Sequence, residues 1–151
     1  MTTVVLIHAA ATDSWYWHPL TAELESRGAE VSAVDLPVDD DAKGLDDYAD
    51  VVVDALGHAG TTRAGTPGPL IVVGHSFGGF TAPIVADRLD ADLLIMLQAQ
   101  IPVPGEAPGD WWENTGHAQA LEEETAGGMI DPMELMLHRT PAHLAREALS
   151  H

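Results

Sequence analysis

Residues 70–89 constrain the fold more than any other part of the chain. The segment opens with four apolar, mostly β-branched residues, Leu70 to Val73, which are typical of a buried parallel strand. The sequence Gly-His-Ser-Phe-Gly follows at 74–78 and matches the pattern G-x-S-x-G. Apolar residues then recur at helical spacing, at Phe80, Ile84, Val85 and Leu89. The segment therefore predicts a strand, a sharp turn with a serine at its apex, and a helix.

The two glycines of this pattern have a steric explanation. A serine at the apex of so tight a turn has a strained backbone and lies close to both strand and helix. Gly74 and Gly78 carry no Cβ atom that would collide there. We expect the turn to lift the Ser76 hydroxyl clear of the sheet, with the N–H of Phe77 facing the same space. Such a pair suits acyl transfer, because the negative charge of a tetrahedral intermediate develops beside the N–H. The alternative is a glycine-rich turn with an incidental serine.

Four short stretches resemble the α/β-hydrolase superfamily, in particular its small esterase and hydroxynitrile-lyase-like branch. They are VVLIHAA at 4–10, WYW at 15–17, VDLP at 34–37 and GHSFGG at 74–79. The resemblance covers most of residues 3–112. It implies an α/β fold, a parallel-sheet hydrolase core with about four strands present, a helical lid, and C-terminal strands that are missing.

The loop after the first strand supplies a second N–H to the oxyanion hole in the resembling family. Carried over by position, this donor is the backbone of Ala10, next to Ala9, where many relatives have glycine. The preceding His8 lies at a strand end. We interpret it as a structural histidine that is hydrogen-bonded to the backbone, rather than as a catalytic group.

The alternation of elements along the chain predicts a parallel sheet with right-handed crossovers. Strands are predicted at 3–7, 30–36, 70–73 and 92–97, and helices up to Arg27, at 45–56 and at 80–89. The buried stripe of the first helix is predicted to consist of Trp17, Leu20 and Leu24. Residues 1–98 are assigned to the incomplete hydrolase core and residues 99–151 to a lid or cap segment.

The lid assignment rests on the change of character after Gln98. Residues 101–109 are rich in proline and glycine and predict no regular structure, and helices are predicted at 118–125, at 132–139 with Asp131 as N-cap, and at 141–149 with Thr140 as N-cap. In the resembling family an insertion after this strand covers the active site. Side chains that would line an apolar acyl or alcohol pocket are Trp111, Trp112, Met129, Met133 and Met136. The alternative is that they only fasten the lid to the core.

A serine nucleophile needs a base to take its proton and a carboxylate to orient that base. In α/β-hydrolases the acid and the histidine follow later strands of the sheet. Here the helix, the fourth strand and the lid use all the residues after Ser76, so the simplest hypothesis is the N-terminal part of a longer hydrolase. Some members carry the acid directly after the fourth of these strands, which makes Glu106 and Asp110 candidate acids.

The charge balance excludes several classes of partner. The chain has 24 acidic and 6 basic residues, a formal net charge of −18, and no cysteine. A surface this acidic repels phosphate backbones and anionic membranes, so we expect no nucleic acid and no membrane partner. We also expect no cofactor and no metal, because the histidine spacings fit no metal motif and Asp39 to Asp41 fit a solvated loop. Without a signal peptide or a spanning segment, a soluble cytoplasmic protein is expected.

These observations favour a serine hydrolase that acts on a small carboxylic ester, or a truncated fragment of one. Two alternatives use the same scaffold: a hydroxynitrile-lyase-like enzyme and a non-catalytic ligand-binding protein. His75 favours the esterase, because members of the lyase group often have glutamate at that position. The strand at 92–97 would be an open apolar edge, so we expect aggregation or a dimer formed through this edge.

Overall fold

The computed structural model describes residues 1–58, 68–125, 128 and 136–150. Residues 1–101 and 102–151 form two compact units, which are described separately. The first unit contains strands β1 (Thr3–Ile7), β2 (Glu30–Ala33), β3 (Leu70–His75) and β4 (Leu93–Leu97), a short 3-10 helix (Ser14–Trp17), and helices α1 (His18–Ser26), α2 (Leu45–His58) and α3 (Gly78–Arg88).

The four strands form one parallel sheet in the order β2-β1-β3-β4. The predicted parallel α/β sheet is therefore confirmed. The predicted second strand is too long, because the chain leaves the sheet after Ala33. The reason is a tertiary contact: the N–H of Leu36 donates to the His8 side chain at 3.0 Å instead of to a neighbouring strand.

Alternate residues of β1 supply two apolar layers, one on each face of the sheet. Val5 and Ile7 belong to the layer that contains the buried faces of α2 and α3, while Val4 and Leu6 pack with Trp17 on the other face. The apolar spacing predicted for α3 is confirmed, and α2 also buries one of its faces. The two helices contribute Tyr48, Val52 and Leu56 from α2, and Phe80, Ile84, Val85 and Leu89 from α3 and its C-cap.

The predicted stripe of the first helix is partly wrong. Trp17 is buried and Leu24 packs against the same cluster, but Leu20 is 37% exposed. The bulky Trp17, placed just before α1 by the 3-10 helix, covers the sheet face, and α1 itself buries no residue fully.

β4 forms one edge of the sheet and is half covered. Leu94 packs against the layer of α2 and α3, whereas Leu93, Ile95 and Leu97 are 49%, 40% and 42% exposed. These three residues alternate along the strand and so share a face. An uncharged strand with an exposed apolar face is a template for pairing with another chain.

The second unit contains α4 (Pro108–Asn114), α5 (His117–Thr125) and α6 (Ala142–Ala148) within its described residues. The prediction of irregular structure up to Gly109 is wrong, because α4 begins at Pro108. A proline fits the first turn of a helix, where its missing N–H would have no partner. The N-cap of α6 is Pro141 and not Thr140.

The predicted helix at 132–139 falls mostly outside the described residues. Its described end is not helical up to Arg139, because the chain turns at Leu137, whose carbonyl accepts the Thr140 N–H at 2.9 Å. Over the described ranges, no helix combines the length and the hydropathy that crossing a bilayer requires.

Candidate active site

The predicted strand, turn and helix around Ser76 are confirmed. β3 ends at His75 and α3 begins at Gly78, and Ser76 between them has a φ of +52°, in the left-handed region. A Cβ atom on Gly74 would lie 2.5 Å from the Ala82 Cβ, and one on Gly78 would lie 2.8 Å from a backbone oxygen of β1. Both glycines are therefore required by close packing in the turn.

The backbone of Ser76 is held between β4 and the segment that follows it. Its N–H donates to the carbonyl of Leu97 at 3.3 Å, and its carbonyl accepts from the N–H groups of Gln100 and Gly79 at 2.9 Å. A Cβ on Gly79 would lie 2.0 Å from the carbonyl oxygen of Gln100. Sequence reasoning missed the role of Gln100. The only signal for so close an approach was the second glycine of the pair at 78–79.

Two backbone N–H groups, those of Phe77 and Ala10, are of interest near the turn. Within the described residues, neither the N–H of Phe77 nor that of Ala10 has a hydrogen-bond acceptor. Both residues line one cavity of about 340 Å³, together with Ala11, which has a φ of +53°. Ser76 is half-buried, so packed side chains do not cover it completely. The structure thus brings the two predicted oxyanion donors to the same cavity.

A smaller cavity of about 140 Å³ is lined by His75, and Ser76 itself lines neither of the two cavities. The ring of His75 packs edge-on against Trp17, with centroids 5.9 Å apart. Burial lowers the pKa of His75 below its usual value. The imidazole is therefore neutral at pH 7. The other lining residues are His8, Ala9, Thr12, Tyr16, Trp17 and Leu97.

His8 has the structural role that the sequence favours. Its side chain is 2% exposed, its Nε2 accepts the Leu36 N–H at 3.0 Å, and its Nδ1 lies 2.8 Å from the carbonyl oxygen of Ala9. Because Nε2 uses its lone pair as an acceptor, the proton must reside on Nδ1, which donates to Ala9. The imidazole thereby joins the loops that follow β1 and β2.

Replacing His8 with alanine is expected to lower the free energy of unfolding by about 2–4 kcal/mol, since it leaves the Leu36 N–H unsatisfied and opens a cavity. Urea unfolding measures the change. His18→Ala is the matched control, because His18 is exposed and both its ring contact and its hydrogen bond are with the neighbouring Trp15, so a loss of no more than about 1 kcal/mol is expected. Equal losses in the two variants would contradict the bridging role of His8.

Asp35 and Ser14 form a second connection near these loops. The N–H of Ser14 donates to Asp35 Oδ1 at 2.8 Å. The hydrogen bonds from the Ser14 hydroxyl and then from its N–H hold the pKa of Asp35 below its usual value. A lowered carboxyl pKa contributes stability that is fully present above the unfolded value of about 3.9 and is lost as the pH falls through the folded value.

In Ser14→Ala we expect the pKa of Asp35 to rise towards its usual value without reaching it, because the backbone donor remains. The acid-side loss of stability should begin at correspondingly higher pH. NMR titration of the Asp35 carboxyl carbon measures the shift. Asp13, whose Oδ1 accepts the Trp15 N–H at 2.9 Å, serves as the internal reference. An Asp35 pKa that stays unchanged would contradict this assignment.

The two candidate acids lie in the second unit. The carboxylate of Glu106 accepts from the Val103 N–H at 3.0 Å and from the Asn114 amide at 2.6 Å, so it connects the preceding loop to α4. Asp110 is exposed in the first turn of α4. The structure therefore gives Glu106 a local structural role, while a catalytic role for either acid stays a prediction.

The predicted lid side chains are only partly described. The rings of Trp111 and Trp112 pack edge to face with centroids 5.5 Å apart, and Trp112 also packs against His117 at 4.3 Å. Met136 is 73% exposed. The remaining predicted pocket residues, Met129 and Met133, lie outside the described residues. A pocket role for these side chains stays a prediction.

Neither Asp39 to Asp41 nor any other described group of three histidine, aspartate or glutamate side chains is placed to hold a metal ion. No described histidine hydrogen-bonds to Ser76. The geometry therefore supplies a strained serine and two backbone donors, which can stabilise an oxyanion but do not by themselves remove the proton of the hydroxyl.

A sequence profile of the alpha/beta hydrolase family matches residues 4–150. The chain belongs to the alpha/beta hydrolase family. Norfluorocurarine synthase 2 from Strychnos sp is 33% identical over 158 residues, which cover 93% of this chain and 57% of that protein. The alpha-hydroxynitrile lyase of Arabidopsis thaliana is 28% identical over 90% of this chain and 51% of its own length. Methylesterase 7 of the same plant is 32% identical over 55% of this chain and 33% of its own length.

Solved structures of other proteins share the fold. Tomato methylketone synthase I in complex with 2-tridecanone superposes with a TM-score of 0.71 at 18% identity, over 99% of this chain and 65% of that one. A pyrethroid hydrolase from Sphingobium faniae JZ-2 has a TM-score of 0.56 at 29% identity, over 71% of this chain and 43% of that one. The chain spans between about a third and just over half of the length of the curated relatives described above.

Proposed function

We propose that this chain carries the nucleophile and the oxyanion donors of a serine hydrolase that acts on small carboxylic esters. The observation that supports this most is Ser76 in a left-handed turn, half-exposed, next to two N–H groups that have no acceptor within the described residues. Similarity to a methylesterase favours ester substrates over other acyl compounds.

The proposed reaction starts with attack of the Ser76 oxygen on the ester carbonyl carbon. A C–O bond forms, the carbonyl π electrons move to oxygen, and the N–H groups of Phe77 and Ala10 stabilise the resulting oxyanion. The hydroxyl proton passes to a base and then to the departing alcohol as its C–O bond breaks. Water releases the acid from the acyl-serine. We propose that the base comes from outside the described residues.

The test is covalent labelling with a fluorophosphonate, followed by mass spectrometry of the modified peptide. We expect label on Ser76, in the chain alone or in any longer polypeptide that contains it. No label at Ser76 in either form, while a known serine hydrolase in the same tube is labelled, would overturn the proposal.

A hydroxynitrile lyase is the second candidate, supported by the similarity to the alpha-hydroxynitrile lyase of Arabidopsis thaliana. Cyanide release from a cyanohydrin, without hydrolysis of esters, would replace the esterase with this activity. Stabilisation by small apolar esters without turnover of either substrate would instead indicate a binding protein. We also propose that the protein acts in the cytoplasm and that residues 99–151 form a lid.

We also propose that β4 pairs antiparallel with β4 of a second copy. The exposed face of Leu93, Ile95 and Leu97 supports this, and pairing centred on Ile95 places Asp92 of each copy opposite Gln98 of the other, so the acidic ends do not meet. We expect a dimer in size-exclusion chromatography with light scattering at micromolar concentration.

Ile95→Lys is expected to convert this dimer into a monomer, because a charge on the shared face opposes pairing. Val51→Lys, at a similarly exposed apolar position on α2, should leave the dimer unchanged. A wild-type chain that is already a stable monomer would contradict edge pairing.

A further inference from the structure

The cavity beside the N–H groups of Phe77 and Ala10 has a lining that fits a particular class of ligand. Besides Ala10, Ala11 and Val38, it is lined by Asp39, Tyr48 and Phe77. We propose that this cavity binds an organic ammonium group, and that the ester taken at Ser76 carries such a group. The second half of this inference rests on the proposed function, while the first half does not.

The aromatic residues of the lining supply the first part of the argument. Tyr48 and Phe77 are both half-buried, and they reach the cavity from α2 and from the turn before α3. Aromatic faces attract alkylated ammonium ions through the ring quadrupole, which is how quaternary ammonium ligands are recognised. The small apolar side chains of Val38, Ala10 and Ala11 suit the alkyl groups on such a nitrogen.

The carboxylate of Asp39 supplies the second part. Asp39 forms no ion pair within the described residues, although a lysine lies four positions away. That lysine, Lys43, pairs with Asp47 at 3.2 Å, and Arg88 pairs with two acids of α2 at 2.5 Å. Among the described residues, the carboxylate at the cavity therefore has no counter-ion, and it is open to a cation from solution.

The charge of the whole chain acts in the same direction. A formal net charge of −18 attracts cations and repels carboxylate ligands, and an exposed cavity with an acid in its lining concentrates this effect. A substrate that carries its own carboxylate would meet repulsion there. A neutral apolar substrate would be stabilised only by apolar contacts, chiefly with Val38, Tyr48 and Phe77. Two aromatic rings beside a carboxylate that has no ion-pair partner among the described residues therefore favour a cationic ligand.

A matched pair of ligands tests the binding. Choline and 3,3-dimethylbutan-1-ol have nearly the same shape and differ in the charge at the branched centre. In the Ser76→Ala variant, we expect choline to shift the NMR amide signals of Ala10 and Phe77 with an affinity at least about threefold higher than the neutral alcohol. Equal affinities, or no shifts with either compound, would overturn the inference.

Two neighbouring acids provide matched variants. Asp39→Asn is expected to abolish the preference for choline, whereas Asp41→Asn should keep it, because Asp41 is exposed in the same loop but does not line the cavity. Both substitutions remove one negative charge, so a general effect of net charge would appear equally in both. An unchanged preference in Asp39→Asn would also overturn the inference.

Turnover of acetylcholine and of 3,3-dimethylbutyl acetate separates the two proposals. Choline binding at the cavity with no fluorophosphonate label on Ser76, in the chain alone or in a longer polypeptide that contains it, would leave the cation site standing and remove the esterase. Hydrolysis of both esters at equal kcat/KM, with no preference for choline, would leave the esterase standing and remove the cation site.

Discussion

Replacing Ser76 with alanine is expected to lower ester hydrolysis by at least about a thousandfold and to abolish fluorophosphonate labelling, because the attacking oxygen is lost while the surrounding donors remain. Ser26→Ala is the matched control. The Ser26 hydroxyl is exposed and donates only to the carbonyl of Glu23, so full activity is expected. Hydrolysis at the wild-type rate in Ser76→Ala would show that another residue carries the reaction.

Ser76→Gly should separate activity from stability. Ser76 adopts a φ of +52°, which costs a residue with a side chain about 1 kcal/mol or more, whereas glycine adopts it freely. We therefore expect loss of activity together with an increase of up to about 1 kcal/mol in the free energy of unfolding, measured in urea. A destabilised Ser76→Gly protein would contradict the explanation.

Replacing Gly79 with alanine is expected to lower the free energy of unfolding by at least about 3 kcal/mol. The new Cβ would lie 2.0 Å from the carbonyl oxygen of Gln100 and 2.9 Å from the Ala99 Cβ. The nearest atoms belong to the backbone segment that also donates to Ser76, so relief requires this segment to move away from the turn. The melting temperature and the rate of fluorophosphonate labelling should therefore both decrease.

Gly57→Ala is the matched control for this change. Gly57 is exposed near the end of α2, and a Cβ there would meet nothing within 4 Å. Alanine is a better helix former than glycine, so a gain of about 0.5–1 kcal/mol is expected. If Gly79→Ala behaved like Gly57→Ala, the close approach of the chain to the turn would be disproved.

Local residue patterns correctly predicted β3, α3 and the turn between them. The β-branched run at 70–73 and the helical spacing from Phe80 onward located β3 and α3, and the two glycines located the turn between them. The alternation of strands and helices along the chain was enough to predict a parallel sheet. These features need no knowledge of which distant residues meet.

Other features depend on contacts between residues that lie far apart in the sequence. The end of β2 depends on the bond from Leu36 to His8, which lie 28 residues apart. The start of α4 at Pro108 is a local exception, because a segment rich in proline and glycine predicts no helix although proline fits the first turn of one. Asp39 lies in an exposed loop, as the sequence predicts. Only the fold shows that this loop and α2 line a cavity with the turn at Ser76.

Left-handed backbone at Ala11, Ser76 and Gln98 lies just beyond the carboxyl ends of β1, β3 and β4. Glycine at each of these positions is expected to increase stability. The substitutions that most readily raise heat resistance therefore lie at the edge of the sheet where substrate is expected to bind. A protein engineer would therefore do better to begin at the far rim or on the outer helix surfaces, where improvements leave the reaction untouched.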